Sequence, residues 1–377
     1  MRRLNASLSL RLLAATMLLC ACLSNGFAQS GGGYDLSLNV IAGGGGSSAQ
    51  GQYTLQGTVG QPLAGANNSQ SPFSVVAGFW KAAQIDQPVA GDFDGDGKTD
   101  FAIFRPFADG TQFGKWYVLD SGKPQTFVVQ YFGNATDIIV PGDYDGNGTT
   151  DIAVFRPNDN GTGQSAWYVS RGSAQSFNRF EWGRNGDVPV PGDYDRDGKT
   201  DLAVFRRDDP VAGQATWYIR YSSDNTSVVR QWGNSGDKPV AGDYDGDDKT
   251  DLAVYRNGQW LVLKSTTGTL LSASWGESAD IPVPRDYDGD NHTDFAVWRP
   301  STTVWFVLRS TDGAMLSQQW GLSTDAPAPG DFDGDGKTDI AVFRDGMWYV
   351  LRSWDNQLHG LRWGQAGDQP VHGVTNP

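Results

Sequence analysis

Asp92-Phe93-Asp94-Gly95-Asp96-Gly97-Lys98-Thr99-Asp100 decides the fold of this chain, because the same pattern opens again at Asp143, Asp193, Asp243, Asp286 and Asp331. Successive openings lie 51, 50, 50, 43 and 45 residues apart. Each copy sets acidic or amide side chains at its first, third, fifth and ninth positions. In a tight loop these converge, and the backbone carbonyl of the seventh residue can join them. Several hard oxygen ligands at flexible spacing suit Ca2+, whereas Mg2+ takes fewer protein ligands in a stricter octahedron. Glycines at the fourth and sixth positions of the first copy supply the left-handed backbone that so short a loop requires.

The candidate ligands follow position by position. They are Asp92, Asp94, Asp96, Lys98 and Asp100 in the first loop, and Asp143, Asp145, Asn147, Thr149 and Asp151 in the second. The third has Asp193, Asp195, Asp197, Lys199 and Asp201, and the fourth Asp243, Asp245, Asp247, Lys249 and Asp251. The fifth has Asp286, Asp288, Asp290, His292 and Asp294, and the sixth Asp331, Asp333, Asp335, Lys337 and Asp339. Lys, Thr and His at the seventh position would contribute only their carbonyl. The copies differ: Asn147 carries one charge less, Arg196 replaces a glycine in the third loop, and Asp248 and Asn291 stand where glycine is usual. The first and sixth loops are therefore the strongest. An EF-hand would need a Glu at position twelve, which in the first loop is Ile103 inside an apolar run. A lone Asp-Gly cluster would read as an ordinary turn, but six copies with one carboxylate spacing do not.

Composition agrees. Of 43 acidic residues only Glu181 and Glu277 are Glu, and 23 of the Asp residues stand at the first, third, fifth or ninth position of the six loops. Residues 1–28 carry Arg2, Arg3 and Arg11, an apolar run from Leu12 to Leu23 and a small-residue cleavage site at Gly26-Phe27-Ala28, the pattern of a secretory signal peptide. Its removal takes both cysteines and three arginines, so the formal charge falls from −14 to −17. Six Ca2+ ions would bring that to about −5. Leu19-Cys20-Ala21-Cys22 is also an imperfect lipoprotein signal, which would place a lipid on Cys22. The expected address is secreted, extracellular or cell-surface, with no membrane span. No basic patch favours nucleic acid.

Between the loops each unit repeats short strands. In the third, Asp201-Leu202-Ala203-Val204-Phe205-Arg206 leaves the loop, followed by Thr216–Arg220 and Ser227–Gly233. The strand after the loop is apolar on both faces, as a blade packed between two neighbours requires. Four strands per unit at a period in the forties to fifties point to an all-β propeller. Tyr131-Phe132-Gly133, Asp137, Gly142-Asp143-Tyr144-Asp145-Gly146-Asn147-Gly148, Asp151-Ile152-Ala153-Val154 and Pro157 resemble the FG-GAP repeat, the calcium-binding blade of integrin α-subunit heads shared with bacterial VCBS-type repeat proteins. The resemblance runs from about residue 80 to 373. It departs where Gly-Ala-Pro becomes Phe-Arg-Pro or Tyr-Arg-Asn, and where most copies have Trp-Gly for Phe-Gly. It implies a propeller with Ca2+ loops between the first two strands of a blade, and no enzymatic activity.

Residues 29–85 form a Gly/Ser-rich segment with strand patterns at Tyr34–Ala42, Gln52–Val59 and Phe73–Trp80, and residues 86–377 carry the repeats. The segment ahead of the loop occurs seven times, from Asp86-Gln87-Pro88-Val89 to Asp368-Gln369-Pro370-Val371. This favours seven blades, the last closed by strands from both termini. A six-bladed ring with a separate N-terminal β module is the alternative. Two further sets recur: Trp116, Trp167, Trp217, Trp260, Trp305 and Trp348 in mid-blade, and Arg105, Arg156, Arg206, Arg256, Arg299 and Arg344 ending the strand after each loop. The tryptophans read as packing, with sugar stacking at a rim as the functional alternative. The arginines read as partners for the aspartates ahead of each Pro-Val-like segment, Asp86, Asp137, Asp187, Asp237, Asp280, Asp325 and Asp368, tying blade to blade, with an anion-binding ring as the alternative. There is no nucleophile–base spacing and no phosphate loop. The expected function is a monomeric, calcium-stabilised binding or adhesion module for an extracellular protein or glycan. A lectin using rim tryptophans is one alternative, and a polysaccharide-active enzyme on a propeller scaffold the other.

Overall fold

The computed structural model describes residues 91–371 except 108–109, 111, 124 and 174–175, and, as backbone alone, the strands at 46–50, 53–57, 63–67 and 74–77. The expected signal peptide at 1–28, the lipid site at Cys22, the strand at Tyr34–Ala42, and Trp80 and Asp86 lie outside the described residues. The chain divides into two compact units, Met1–Gln84 and Ile85–Pro377. In the first, Gly46–Gln50 pairs antiparallel with Tyr53–Gly57, and Leu63–Asn67 with Ser74–Ala77. No described helix is long and apolar enough to cross a membrane.

The second unit is a propeller of six four-stranded antiparallel blades. Blade 3 is representative: Val188–Pro189, Leu202–Arg207, Gln214–Arg220 and Ser227–Asn234 pair in sequence order. The second strand is Leu-Ala-Val-Phe, buried at every one of these positions, because both of its faces meet a neighbouring blade. The third strand alternates, and its tryptophan has no exposed surface in any of the six blades. Each of these indoles donates to a carbonyl at the end of the fourth strand, as Trp217 does to Trp232 at 3.1 Å.

The expected seventh blade does not form. Gln369–Pro370 pairs with Phe101–Arg105 and completes the sheet that continues through Phe113–Leu119 and Phe127–Asn134, which is blade 1. Its register, Gln369 opposite Phe104 and Pro370 opposite Ile103, matches Val188 opposite Phe205 and Pro189 opposite Val204. The reason is delivery. Every first strand is supplied by chain leaving the fourth strand of the blade before it, so the segment after Leu358–Arg362 arrives at blade 1. Closure of this kind covers the edge that an open ring would expose.

Two side-chain ties recur at the joints. The carboxylate of Asp187 accepts from Arg206 at 2.8 Å on each oxygen and also from the backbone N–H of Arg184, which ends the previous blade. The same bidentate pair is made by Arg105–Asp368, Arg156–Asp137, Arg256–Asp237, Arg299–Asp280 and Arg344–Asp325. The aspartates are fully or almost fully buried, and each therefore joins one blade to the next, which leaves no free ring of arginines for an anion. The second tie is an indole from the fourth strand donating to the next blade's third-strand carbonyl. Trp182 reaches Tyr218, Trp232 reaches Leu261, Trp275 reaches Phe306, Trp320 reaches Tyr349, and Trp363 closes the ring on Tyr117.

Candidate metal centres

In blades 2 to 6 the nine-residue loop joins the first and second strands, in blade 1 it leads into the second strand alone, and each loop folds around its own first aspartate. Asp92 Oδ1 accepts from the N–H groups of Gly95 and Asp96, and Oδ2 from that of Gly97. Asp143, Asp193, Asp243, Asp286 and Asp331 hold their loops by the same pattern. The ninth residue braces the other side: Asp201 Oδ2 accepts from the N–H of Tyr194 at 2.8 Å. Arg196, Asp248 and Asn291 take φ of 67°, 64° and 65°, the left-handed backbone that glycine adopts in the other copies. Arg196 does not project into its loop; it pairs with Asp248 of the next loop at 2.6 Å.

The loops are joined to one another. The N–H of Thr99 donates to the Asp331 carbonyl, Thr150 to Asp92, Thr200 to Asp143, Thr250 to Asp193, Thr293 to Asp243 and Thr338 to Asp286, at 2.6–2.8 Å. This is a closed circle of backbone hydrogen bonds linking all six candidate centres. The seventh residue lies against the preceding loop, so a Cβ on Gly146 would stand 2.8 Å from Lys199 and one on Gly246 2.0 Å from His292.

Carboxylate oxygens converge as the spacing predicts. Ligand atoms of Asp92, Asp94 and Asp96 lie within 4.8 Å of one another, as do those of Asp143, Asp145 and Asp151, of Asp193, Asp195 and Asp197, and of Asp243, Asp245 and Asp251. One group contains an acid that the sequence reading missed, since Asp120 joins Asp94 and Asp100 from the hairpin between the third and fourth strands. That hairpin meets the loop in other blades too. Ser222, Ser265, Ser310 and Ser353 donate their N–H to the ninth-position Oδ1. Their hydroxyls reach the fifth-position carboxylates of Asp197, Asp247, Asp290 and Asp335. The recurring Ser after the third strand (Tyr221-Ser222, Lys264-Ser265, Arg309-Ser310, Arg352-Ser353) is the signal that would have found them. Asn147 is engaged by Thr149, whose N–H and hydroxyl both donate to it.

The electrostatics are those of crowded acids. Burial, with the neighbouring loop carboxylates adding to it, raises the ninth-position carboxyls of Asp100, Asp151, Asp251 and Asp294 to about 6 and those of Asp201 and Asp339 to about 7. Asp193, Asp243, Asp286 and Asp331 are raised as well, burial again leading. Three buried oxygens, Asp195 Oδ1, Asp245 Oδ1 and Asp288 Oδ1, have no hydrogen-bond partner. Buried oxygens of this kind require a compensating group, and in an all-oxygen set the compensating group that fits is a hard cation.

The tryptophans do not form a stacking ring, since both recurring sets are engaged between strands and blades. Trp354, 79 % exposed in a hairpin of blade 6, is the exception among the described residues. His359 lies beside Phe101 at 5.9 Å, and His372 falls outside the described residues.

Comparison with known proteins agrees with the repeat reading. Residues 286–360 match the family model of the FG-GAP-like repeat, and residues 86–119 that of the FG-GAP repeat. No curated protein matches the chain. Among solved structures, TolB from Acinetobacter baumannii is similar at 13 % identity and a TM-score of 0.45, covering 82 % of each chain. An Agrocybe aegerita lectin that recognises non-reducing terminal N-acetylglucosamine is similar at 13 % and 0.42, over 76 % of this chain and 92 % of the lectin. Virginiamycin B lyase from Staphylococcus aureus stands at 9 % and 0.40, over 73 % and 87 %. Likeness at this level passes no ligand or reaction to this chain.

Proposed function

The chain is an FG-GAP repeat β-propeller protein, and on that premise we propose that it is an exported binding module whose six loops each hold a structural Ca2+. The observation that carries the metal reading is the set of unpartnered buried oxygens on Asp195, Asp245 and Asp288, the first two in loops whose carboxylate oxygens converge and the third beside Asp286, whose carboxyl is raised by burial first and then by the charges of Asp290 and Asp288. In each loop the first, third, fifth and ninth side chains would hold the ion with the seventh carbonyl. Ca2+ would supply positive charge there and no chemistry. Extracellular modules bind Ca2+ at ~0.1–1 mM, so at ~1 mM ion and a Kd of ~0.1 mM each site would stabilise the fold by about 1.4 kcal/mol. Six such sites give roughly 8 kcal/mol, comparable with the whole stability of a domain.

The binding reading rests on a scaffold in which nearly every recurring polar group is committed to holding blades together. What varies between blades is the connection after the second strand: 106–112, 157–163 and 208–213 are long, whereas blades 4 and 6 turn tightly through Asn257-Gly258 and Asp345-Gly346. Long connections on a rigid scaffold are where ligand contacts are built. Asp245→Asn and Asp288→Asn should each lower the calcium stoichiometry by one in calorimetric titration; an unchanged count would refute the ligand assignment. Calcium-loaded protein should bind a member of a glycan array or of a panel of immobilised matrix proteins. Turnover of a polysaccharide by the purified chain would instead make it an enzyme.

A further inference from the structure

Five of the six blade joints are closed by the fourth-strand indole described above, and the joint between blades 1 and 2 is not. There the residue is Phe132, which has no N–H to donate. The third-strand carbonyl standing in register with those of Tyr218, Leu261, Phe306, Tyr349 and Tyr117 is that of Tyr168: it faces Val154 in its sheet as Tyr218 faces Val204 and Leu261 faces Val254. It receives no indole.

A pocket of about 460 Å³ opens at this joint, lined by Phe113, Tyr131, Phe132, Gly133, Asn134, Arg156, Tyr168 and Phe177. Its aromatic walls are set at angles to one another. Phe177 meets Phe132 edge-on at 6.3 Å between ring centroids and Tyr168 at 5.7 Å. The guanidinium of Arg156 lies 4.3 Å above the Tyr168 ring while held by Asp137, so the floor is fixed. Phe113, Tyr131 and Phe177 are about half exposed at the mouth. The walls are apolar and flat, and the one repeat feature missing at this joint is a planar ring with an N–H.

We propose that this pocket binds an indole ring, supplied either as a free indole compound or as a tryptophan side chain of a partner polypeptide. The ring stacks among Phe177, Tyr168 and Phe132, and its N–H is offered to the carbonyl that the other five joints satisfy internally. This names a site for the binding-module reading and rests on it, but does not depend on the cation. Apolar rings without an N–H fit the walls and lose the hydrogen bond, so they bind more weakly.

The test is titration of the calcium-loaded chain, followed by calorimetry and by NMR, with indole, N-acetyltryptophanamide, N-acetylphenylalaninamide and a methyl hexoside. Both indole probes should bind, roughly tenfold tighter than the phenylalanine compound. The amide outbinding indole itself would identify a polypeptide source, and the reverse a small molecule. Phe132→Trp restores the residue of the other joints, so it should raise the melting temperature and abolish binding. Phe177→Ser, on the half-exposed outer wall, should weaken binding without loss of fold. Binding of the hexoside but not of the indoles would overturn the ligand class and leave the binding-module reading standing. Indole binding that survives unchanged in both variants would overturn the site.

Discussion

Removing the guanidinium from one joint should cost far more than removing a surface ion pair. At the joint between blades 2 and 3 the Arg206 side chain is 13 % exposed and Asp187 2 %. The pair is bidentate at 2.8 Å, the carboxylate also accepts from Arg184, and the guanidinium lies 4.2 Å over the Tyr218 ring. Arg206→Ala leaves a carboxylate buried with a single backbone donor. Breaking a buried pair from one side costs about 3–5 kcal/mol, which for a unit of this size lowers the melting temperature on the order of 10 °C. Arg206→Ala with Asp187→Ala removes the stranded charge as well, and should recover about 1–2 kcal/mol relative to the single variant. Urea unfolding of the calcium-loaded protein, for the wild type, both single variants and the double variant, gives the full cycle. A cost below about 1 kcal/mol for Arg206→Ala, the range of exposed pairs, would refute the joint as a buried tie.

Other consequences are open to measurement. Arg285 stands where the five other loops are preceded by Gly; its Nε and Nη2 are buried without a partner, and that burial lowers its pKa. Arg285→Met should therefore stabilise the fold by about 1–3 kcal/mol in urea unfolding, and a loss of stability would refute the unpaired reading. Trp232→Phe imitates Phe132 and loses the bond to the Leu261 carbonyl, so it should cost about 1–2 kcal/mol; a neutral effect would mean that the indole ties are incidental. Deletion from Asp368 onwards removes both the closing strand and the Arg105 partner, and should yield a chain that self-associates in size-exclusion chromatography; an unaltered monomer would refute closure by the C-terminus. In metal-stripped protein the ninth-position carboxyls, raised to about 6 or 7, hold protons more tightly folded than unfolded. That contribution to stability is full below about pH 4 and is lost as pH rises through 6 to 7. The stripped protein should thus melt lower at pH 8 than at pH 5, and a rise over that range would contradict it.

The loops were legible because a carboxylate spacing repeated six times has few physical meanings, and the blades because two-sided apolar strands need neighbours on both faces. The number of blades was not. Asp86-Gln87-Pro88-Val89 and Asp368-Gln369-Pro370-Val371 are the same signal, and sequence alone does not say which one pairs with Phe101–Arg105. Three-dimensional delivery from the preceding fourth strand decides. The hairpin contribution of Asp120, Ser222, Ser265, Ser310 and Ser353 was missed because each lies 14–21 residues beyond the ninth-position aspartate it contacts, and a single Ser or Asp after a strand carries no signal until its recurrence from blade to blade is counted. In sequence Phe132 reads as the Phe-Gly of the family pattern, and the Trp-Gly of the other copies as the departure from it. Only the five indole–carbonyl bonds at the other joints give it meaning.

The central claim, that cations fasten this ring, is tested most directly by counting ions bound per chain by native mass spectrometry while thermal unfolding is followed with excess Ca2+ and after chelation. Five or six Ca2+ per chain, released together with a large fall in melting temperature, is the predicted result. No bound ion and an unchanged melting temperature would mean that the loops are held by their own hydrogen bonds alone, and would contradict the account.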